Sequence, residues 1–275
     1  MLFVGCHLST TGGFYKTVET AISIGANTFA FFTRNPRGSK AKDLDQQDII
    51  KARGKMAEAN FGKLVAHGSY TMNLCTAKPE DRAFAASLLE DDLRRMAYLP
   101  DNFYNFHPGS HVGQGSEAGI EYISQALKTA MAPNYPVTVL LEAMAGKGSE
   151  VGGTFHELKG IIDCVGRDDL GVCLDTCHIW DAGYPIKDRL DEVLEEFDRV
   201  IGLNRLKALH LNDSKNTVSS HKDRHACIGE GYLGVETFSA IVNHPVLKNL
   251  PMILETPNDL TGYAREIALL RNLEK

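Results

Sequence analysis

Residues 171–184 read GVCLDTCHIWDAGY. Val172, Cys173 and Leu174 suit a buried β-strand. Asp175, Cys177 and His178 then arrive within four residues, where the strand should end. A carboxylate, a thiol and an imidazole at the mouth of a hydrophobic strand admit three readings: a zinc site, a Cys–His nucleophile, or an ordinary polar loop. The rest of the chain decides between them.

This run is one of eight. LFVGCHL (2–8), NTFAFF (27–32), KLVAH (63–67), FYNFH (103–107), VTVLLE (137–142), GVCLD (171–175), LKALHL (206–211) and MILET (252–256) are short, apolar and β-prone. Amphipathic helices are predicted between and after them, over 14–25, 44–61, 79–99, 117–131, 154–167, 187–203, 234–244 and 261–273. Eight strands, each followed by a helix, are the pattern of a (β/α)₈ TIM barrel, here one domain over residues 1–275. A doubly wound open sheet is the alternative, but STTGGF follows the first strand, not a G-x-G-x-x-G phosphate turn.

Composition agrees with a single large core: of 275 residues, 43% are hydrophobic and 23% charged. No apolar run approaches membrane-spanning length. The N-terminus MLFVGCHLS lacks the basic segment of a signal peptide, so a cytoplasmic protein is expected. The six cysteines are scattered without a C-x-x-C pair, which excludes a zinc ribbon and points to free, mostly buried thiols. The formal net charge of −6, taken alone, argues against a nucleic-acid partner.

The strand ends argue more strongly. They carry His7, His67, His107, Glu142, Asp175, His210 and Glu255. A single polar residue at a strand end is an ordinary helix cap or a satisfied core histidine. Seven of eight are another matter, because a parallel barrel brings all its C-terminal strand ends to one face. Buried carboxylates gathered with neutral imidazoles need cations to neutralise them. Mixed His and Asp/Glu ligation suits zinc, with manganese or iron as rivals. Two ions sharing a carboxylate would lie roughly 3.5–4 Å apart, the geometry of two-metal hydrolysis. The long segment HLNDSKNTVSSHKDRHACIGEGYLG (210–234) shows little helical or strand pattern. It adds Asp223-x-His225, which with His178 could hold a third ion.

Taken in order, HGSYTMNL (67–74), NFHPGSH (105–111), LLEAMAGKGSEVG (140–152), GVCLDTCHIWDAGY (171–184), HLNDSK (210–215), KDRHACIGEG (222–231) and ILET (253–256) are similar to the motifs of the endonuclease IV family of zinc-dependent apurinic/apyrimidinic endonucleases. The resemblance covers essentially the whole chain and implies a (β/α)₈ barrel with three Zn²⁺. It implies one ion on His67, His107 and Glu142, and a second on Glu142, Asp175, His210 and Glu255. The third would lie on His178, Asp223 and His225, and Mn²⁺ could replace zinc at one position. Glu142 and Glu255 would be catalytic. The implied reaction is hydrolysis of double-stranded DNA on the 5′ side of an abasic site, giving 3′-hydroxyl and 5′-deoxyribose phosphate ends, with trimming of blocked 3′ ends. Cys177 matches no ligand and reads as a packing thiol. His7 and His111 match none either and read as supporting residues, while His221 beside the third set stays open.

Three Zn²⁺ would bring the formal charge of −6 to zero. The acidic excess lies in helical segments such as 90–92 and 191–198, whereas the predicted mouth loops carry Arg34, Arg37, Lys40, Lys42, Lys147, Lys215, Lys222 and Arg224. A basic rim of that kind can hold a phosphate backbone. Tyr70 matches a DNA-penetrating tyrosine of the family, Arg37 is a second DNA-binding candidate, and Thr71 stands where a relative may carry a larger apolar residue. Two other functions compete: a metal-dependent sugar isomerase or epimerase on the same barrel, and a non-catalytic zinc protein that binds DNA lesions. A monomer is expected, since no interface stripe is evident.

Overall fold

The predicted apolar runs form the staves of a barrel. In the computed structural model, which describes residues 1–275, they are β1 (Val4–Cys6), β2 (Ala30–Phe32), β3 (Val65–His67), β4 (Phe103–Phe106), β5 (Thr138–Glu142), β6 (Leu170–Asp175), β7 (Leu206–Leu211) and, eighth, β10 (Met252–Leu254). All pair in parallel, in the order β1-β10-β7-β6-β5-β4-β3-β2. The seam between β1 and β2 closes through one bridge, His7 with Ala30. There the Leu8 amide donates to the Ala30 carbonyl at 2.8 Å and the Asn27 amide to the Val4 carbonyl at 3.1 Å. The Asn27 side chain staples the same seam, accepting from the Val4 amide at 2.9 Å and donating to the Leu2 carbonyl at 3.0 Å.

The helices are α1 (Phe14–Ser23), α2 (Gln46–Glu58), α3 (Pro79–Met96), α4 (Ser116–Met131), α5 (Phe155–Val165), α7 (Leu190–Val200), α8 (Val235–Asn243) and α9 (Leu260–Leu273), as the periodicity predicts, with an additional short α6 (Thr176–Ala182). Local chemistry sets their ends. Pro79 opens α3, with Glu80 and Asp81 in its first turn and Arg94 and Arg95 in its last, matching the helix dipole. Thr154 caps α5 through the Glu157 amide, and left-handed Gly166 ends it. No helix is long and apolar enough to cross a membrane.

Two cores result. The larger lies between sheet and helices. The smaller fills the barrel with Ala30, Val65, Phe103, Leu140, Cys173, Ala208 and Ile253, one from each of seven strands. Gly5, paired with Ile253, completes that layer. Side chains alternate along a strand, so the next inward layer lies two residues on: His7, Phe32, His67, Asn105, Glu142, Asp175, His210 and Glu255. A thin apolar plug thus supports a polar mouth.

Two local expectations need correction. The residues after Asp175, where no helix is predicted, form α6, because Asp175 accepts the His178 amide and caps it. The long segment after β7 contains an antiparallel pair, β8 (Asp213–Ser214) with β9 (His225–Ala226), too short to leave a periodic signal.

Gly5 is where the seam is tightest: a Cβ there would lie 1.8 Å from the Thr28 carbonyl oxygen. Gly5→Ala must therefore part β1 from β2. The expected cost is about 3 kcal/mol or more, read as a fall in the urea midpoint. An unchanged midpoint would show that the seam is loose.

Candidate metal centre

The polar layer gathers around one carboxylate. Glu142, fully buried at the end of β5, has Oε2 at 3.1 Å from His67 Nε2 and 3.5 Å from His107 Nε2. Its Oε1 lies 3.3 Å from both His178 Nδ1 and His210 Nδ1. His210 Nδ1 is also 3.2 Å from Glu255 Oε2 and 3.9 Å from Asp175 Oδ2. On the far side, Asp223 Oδ1 is 3.1 Å from His178 Nε2 and 3.4 Å from His225 Nε2.

These donors fall into overlapping groups with mutual ligand-atom distances within 4.8 Å. They include His67/His107/Glu142, Glu142/Asp175/His210/Glu255 and His178/Asp223/His225. Glu142 belongs to two of them. The fold brings together all nine residues that the sequence suggested as ligands.

The imidazole tautomers show what the arrangement requires. His67 directs Nδ1 at the Gly68 carbonyl at 2.7 Å, His178 directs Nδ1 at Ala143 at 3.1 Å, and His225 directs Nδ1 at Glu255 at 3.2 Å. A carbonyl only accepts, so each Nδ1 carries a proton, and in the neutral imidazole each Nε2 keeps its lone pair. Those lone pairs point at carboxylate oxygens, and acceptor facing acceptor is repulsive without a cation between them. Glu142 Oε1, Glu255 Oε1, His225 Nε2 and both His210 nitrogens are buried without a hydrogen-bond partner. Backbone carbonyls that orient imidazoles, with acceptors converging beyond, are the chemistry of a metal site.

The electrostatics carry the same demand. Burial would raise Glu142, yet His210 and His107 hold it well below the usual carboxylate range. Burial would lower His178, but Asp175, Asp223 and Glu142 push it well above the ordinary histidine value. His225 is pushed to about 9 against its burial, by Asp175 and Asp223. The mouth thus stabilises positive charge, which divalent cations supply without protonating the imidazoles.

The Cys–His reading of the opening motif fails on burial. Cys177 is fully buried, and burial pushes its thiol up, so the nucleophilic thiolate is disfavoured. Its sulfur nonetheless lies near the ligand atoms of Asp175 and His225. All six cysteines are free.

Several residues escaped the sequence reading. Asn105 donates to Glu142 Oε2 at 2.6 Å, and Asn212 donates to Asp175 Oδ2 at 2.7 Å. Strand alternation could have identified Asn105, two residues before His107. Asp213 accepts five backbone amides, from Ser214, Gly229, Gly231, Leu233 and Gly234, and so folds the segment that bears Asp223 and His225. A Cβ on Gly231 would lie 2.4 Å from Asp213 Oδ1, which is why that turn is glycine. Asp181, in α6, accepts the Asp223 amide at 2.8 Å and the Ser214 hydroxyl at 2.7 Å.

Of the expected basic rim, Arg37, Lys40, Lys42, Lys147, Lys215, Lys222 and Arg224 are exposed. Arg34 is not. It is 6% exposed and bound to Asp91 and Asp92 of α3, so it anchors its loop from below. Lys147 bridges Glu150 and Asp223. Tyr70, half exposed at 53%, lies over the mouth with its ring centroid 5.5 Å from that of His67 and 5.6 Å from that of His107. Its amide donates to the Pro36 carbonyl at 3.0 Å, which ties its loop to the one that carries Arg37. His7 stacks on Phe32 at 4.3 Å, and burial lowers it to about 3, so it stays neutral beside Glu255.

Asp213→Ala should leave the barrel folded but free the 215–224 segment, because five amides lose their acceptor. Trypsin is expected to cut after Lys215, Lys222 or Arg224 roughly tenfold faster or more, while the far-UV circular dichroism of the barrel is retained. Wild-type resistance would show that Asp213 does not order the segment.

The chain was compared with known proteins. The family model described as a xylose isomerase-like TIM barrel matches residues 18–273. A Clostridium beijerinckii protein named a probable endonuclease 4 is 57% identical over 274 residues, covering 99% of both chains. The crystal structure of endonuclease IV from Thermus thermophilus superposes with a TM-score of 0.86 at 34% identity, covering 98% of both chains. An L-ribulose 3-epimerase also superposes, with a TM-score of 0.73 over 99% of this chain and 96% of the other. Its identity is 15%, a likeness of fold alone. With the motifs, the ligand geometry and full-length similarity in agreement, the chain belongs to the endonuclease IV family.

Proposed function

We propose that the protein is a DNA repair endonuclease that hydrolyses the phosphodiester bond 5′ to abasic sites, leaves 3′-hydroxyl and 5′-deoxyribose phosphate ends, and trims blocked 3′ ends. The observation that carries this reading is the set of Nε2 atoms of His67, His178 and His225 that face the Glu142 and Asp223 carboxylates. In this reading His67, His107 and Glu142 hold one zinc. Glu142, Asp175, His210 and Glu255 hold a second, and His178, Asp223 and His225 a third, with manganese acceptable at one position. When bound, such ions polarise the phosphate and lower the pKa of water toward neutrality.

The protein's own groups do the rest. Glu142 joins the first two sets and fixes their separation. Glu255 Oε1, buried and unpartnered, accepts the proton of the attacking water, while neutral His7 at 3.5 Å limits the carboxylate's rotation. Asn105 and Asn212 hold Glu142 and Asp175 in register, so that little reorganisation accompanies the reaction. Tyr70 enters the base stack at the lesion, and Arg37 contacts the same strand region from the neighbouring loop. The exposed lysines and Arg224 hold backbone phosphates.

The test is cleavage of a duplex with one tetrahydrofuran abasic analogue, which blocks β-elimination. A cut on the 5′ side, lost after prolonged chelation and regained with zinc, is the expected result. No cut by folded, metal-loaded protein would reject the reading and direct attention to sugar substrates.

Tyr70→Ala should weaken binding to the abasic duplex by about tenfold while leaving undamaged duplex binding within twofold, read by fluorescence anisotropy. Equal weakening of both would remove Tyr70 from lesion recognition.

A further inference from the structure

Glu266 is a buried acid that no cation answers. It lies on the inner face of α9, 7% exposed, beside Gly262, Ile267 and Leu270. Its hydrogen-bond partners are an amide and a hydroxyl. Burial pushes its carboxyl above the usual carboxylate range, against the hydrogen bonds from Thr256 and Ile228. Burying an acid without a cation is costly, and an apolar side chain would fill a helix face without that cost.

The two oxygens reach toward the metal centre from behind. Oε1 accepts the Ile228 amide at 2.7 Å, and Oε2 accepts the Thr256 hydroxyl at 2.5 Å. Thr256 follows the candidate ligand Glu255, and Ile228 stands three residues after the candidate ligand His225. Thr256 is held further by its neighbours. Its hydroxyl accepts from Asn258 Nδ2 at 3.0 Å, and its carbonyl accepts the Asn258 amide at 2.7 Å and the Tyr263 hydroxyl at 2.9 Å. The amides of Gly229, Gly231, Leu233 and Gly234 go to Asp213, whereas the Ile228 amide goes to α9.

A closed circuit results. His225 donates through Nδ1 to the Glu255 carbonyl at 3.2 Å. From Glu255 the chain leads to Thr256, then through Glu266 to Ile228, and back along the backbone to His225. Glu255 belongs to the second candidate ligand set and His225 to the third. Neither has a long strand to fix it, since β9 is two residues long and Glu255 falls just past the end of β10. The circuit therefore supplies rigidity that the parallel ladder does not, through hydrogen bonds to a carboxylate.

We propose that Glu266 is a positioning residue that locks the second and third zinc-ligand sets to each other, holding Thr256 and Ile228 with one carboxylate. The inference rests on the zinc reading above, and Glu266 itself belongs to none of the ligand sets. Two donors need two acceptor oxygens, and a glutamine of the same shape has only one. Outer partners of this kind fix the direction of a ligand and thereby the affinity of the ion it holds.

The experiment compares zinc-loaded wild type with Glu266→Gln, Thr256→Val, the double variant and Leu270→Ala. Zinc release to a chromogenic chelator is followed first, then kcat and KM on the tetrahydrofuran duplex. Glu266→Gln and Thr256→Val should each release zinc about tenfold faster. Their kcat should fall by about tenfold with KM within twofold, because the loops that meet DNA are untouched. The double variant should be no worse than the poorer single one, since both break the same bond. Thr256→Val breaks that bond from the other side and carries the test alone if Glu266→Gln does not fold. Leu270→Ala removes buried apolar volume from the same helix, so its melting temperature should fall while its zinc release stays within twofold of wild type. Wild-type release rates in the Glu266 and Thr256 variants would overturn the proposal, as would equally fast release from Leu270→Ala. A wild-type protein that takes up no zinc would instead overturn the metal reading. A zinc-loaded wild type that leaves the abasic duplex uncut would overturn the proposed activity, and zinc release would still decide the role of Glu266.

Discussion

The structure turns on a buried carboxylate that cannot stay buried alone. Glu142 is fully enclosed, and an isolated charge there would be prohibitively unstable. Four imidazole nitrogens within 3.5 Å share its two oxygens. Three of the surrounding histidines are oriented by backbone carbonyls, so their free lone pairs face carboxylates. That arrangement is stable only with positive charge inside it. The barrel is built to hold the arrangement still: a single apolar layer below, and α6, capped by Asp175, beside it.

Much of this was legible because barrel chemistry follows strand alternation. The eight apolar runs, the helices between them and all nine candidate ligands could be read from the sequence, since each ligand ends a run or sits in a short ordered motif. What could not be read depends on contacts remote in sequence. Arg34 reads as a loop cation, but it is buried because Asp91 and Asp92 of α3, more than fifty residues away, are there to receive it. Asp213 reads as an ordinary loop acid, although its carboxylate organises amides as far on as Gly234. The β8–β9 pair is two residues long on each side, below any periodic signal. Asn105 was hidden by the neighbouring histidine, which is the more familiar ligand type.

Strands and loops divide the work by rigidity. His67, Glu142, Asp175 and His210 belong to strands locked in the parallel ladder, so their positions follow from the barrel itself. Asp223 and His225 lie on a segment without that support, and buried acids replace the ladder. Asp213 gathers the glycine-rich turn, and Asp181 fixes the Asp223 amide. Charged acceptors to backbone amides are the strong class of hydrogen bond, and here they give a loop the precision of a strand.

The same division explains where strain is found. The strands carry no left-handed non-glycine residues; Asn60, Asp101 and Asn134 lie in the turns before β3, β4 and β5, and Val112, Ser219, His221 and Asp223 in the mouth segments. In the 219–223 segment the strained backbone wraps the end of α6: the Ser219 amide donates to Trp180, and the His221 amide to Asp181. His221 then reaches the Ala145 carbonyl at 2.9 Å and ties the loop after β5 to the segment that bears Asp223. That strain has a visible return inside the molecule, because it orients a candidate ligand. Val112 is held in the same way but orients nothing internal, and its side chain faces solvent. His221 and Asp223 are thus strained where the backbone positions a candidate ligand, whereas Val112 is strained at the surface. Burial follows the same division: the candidate ligands Glu142, Asp175, His178 and His210 are buried, while Tyr70 and Val112 are exposed.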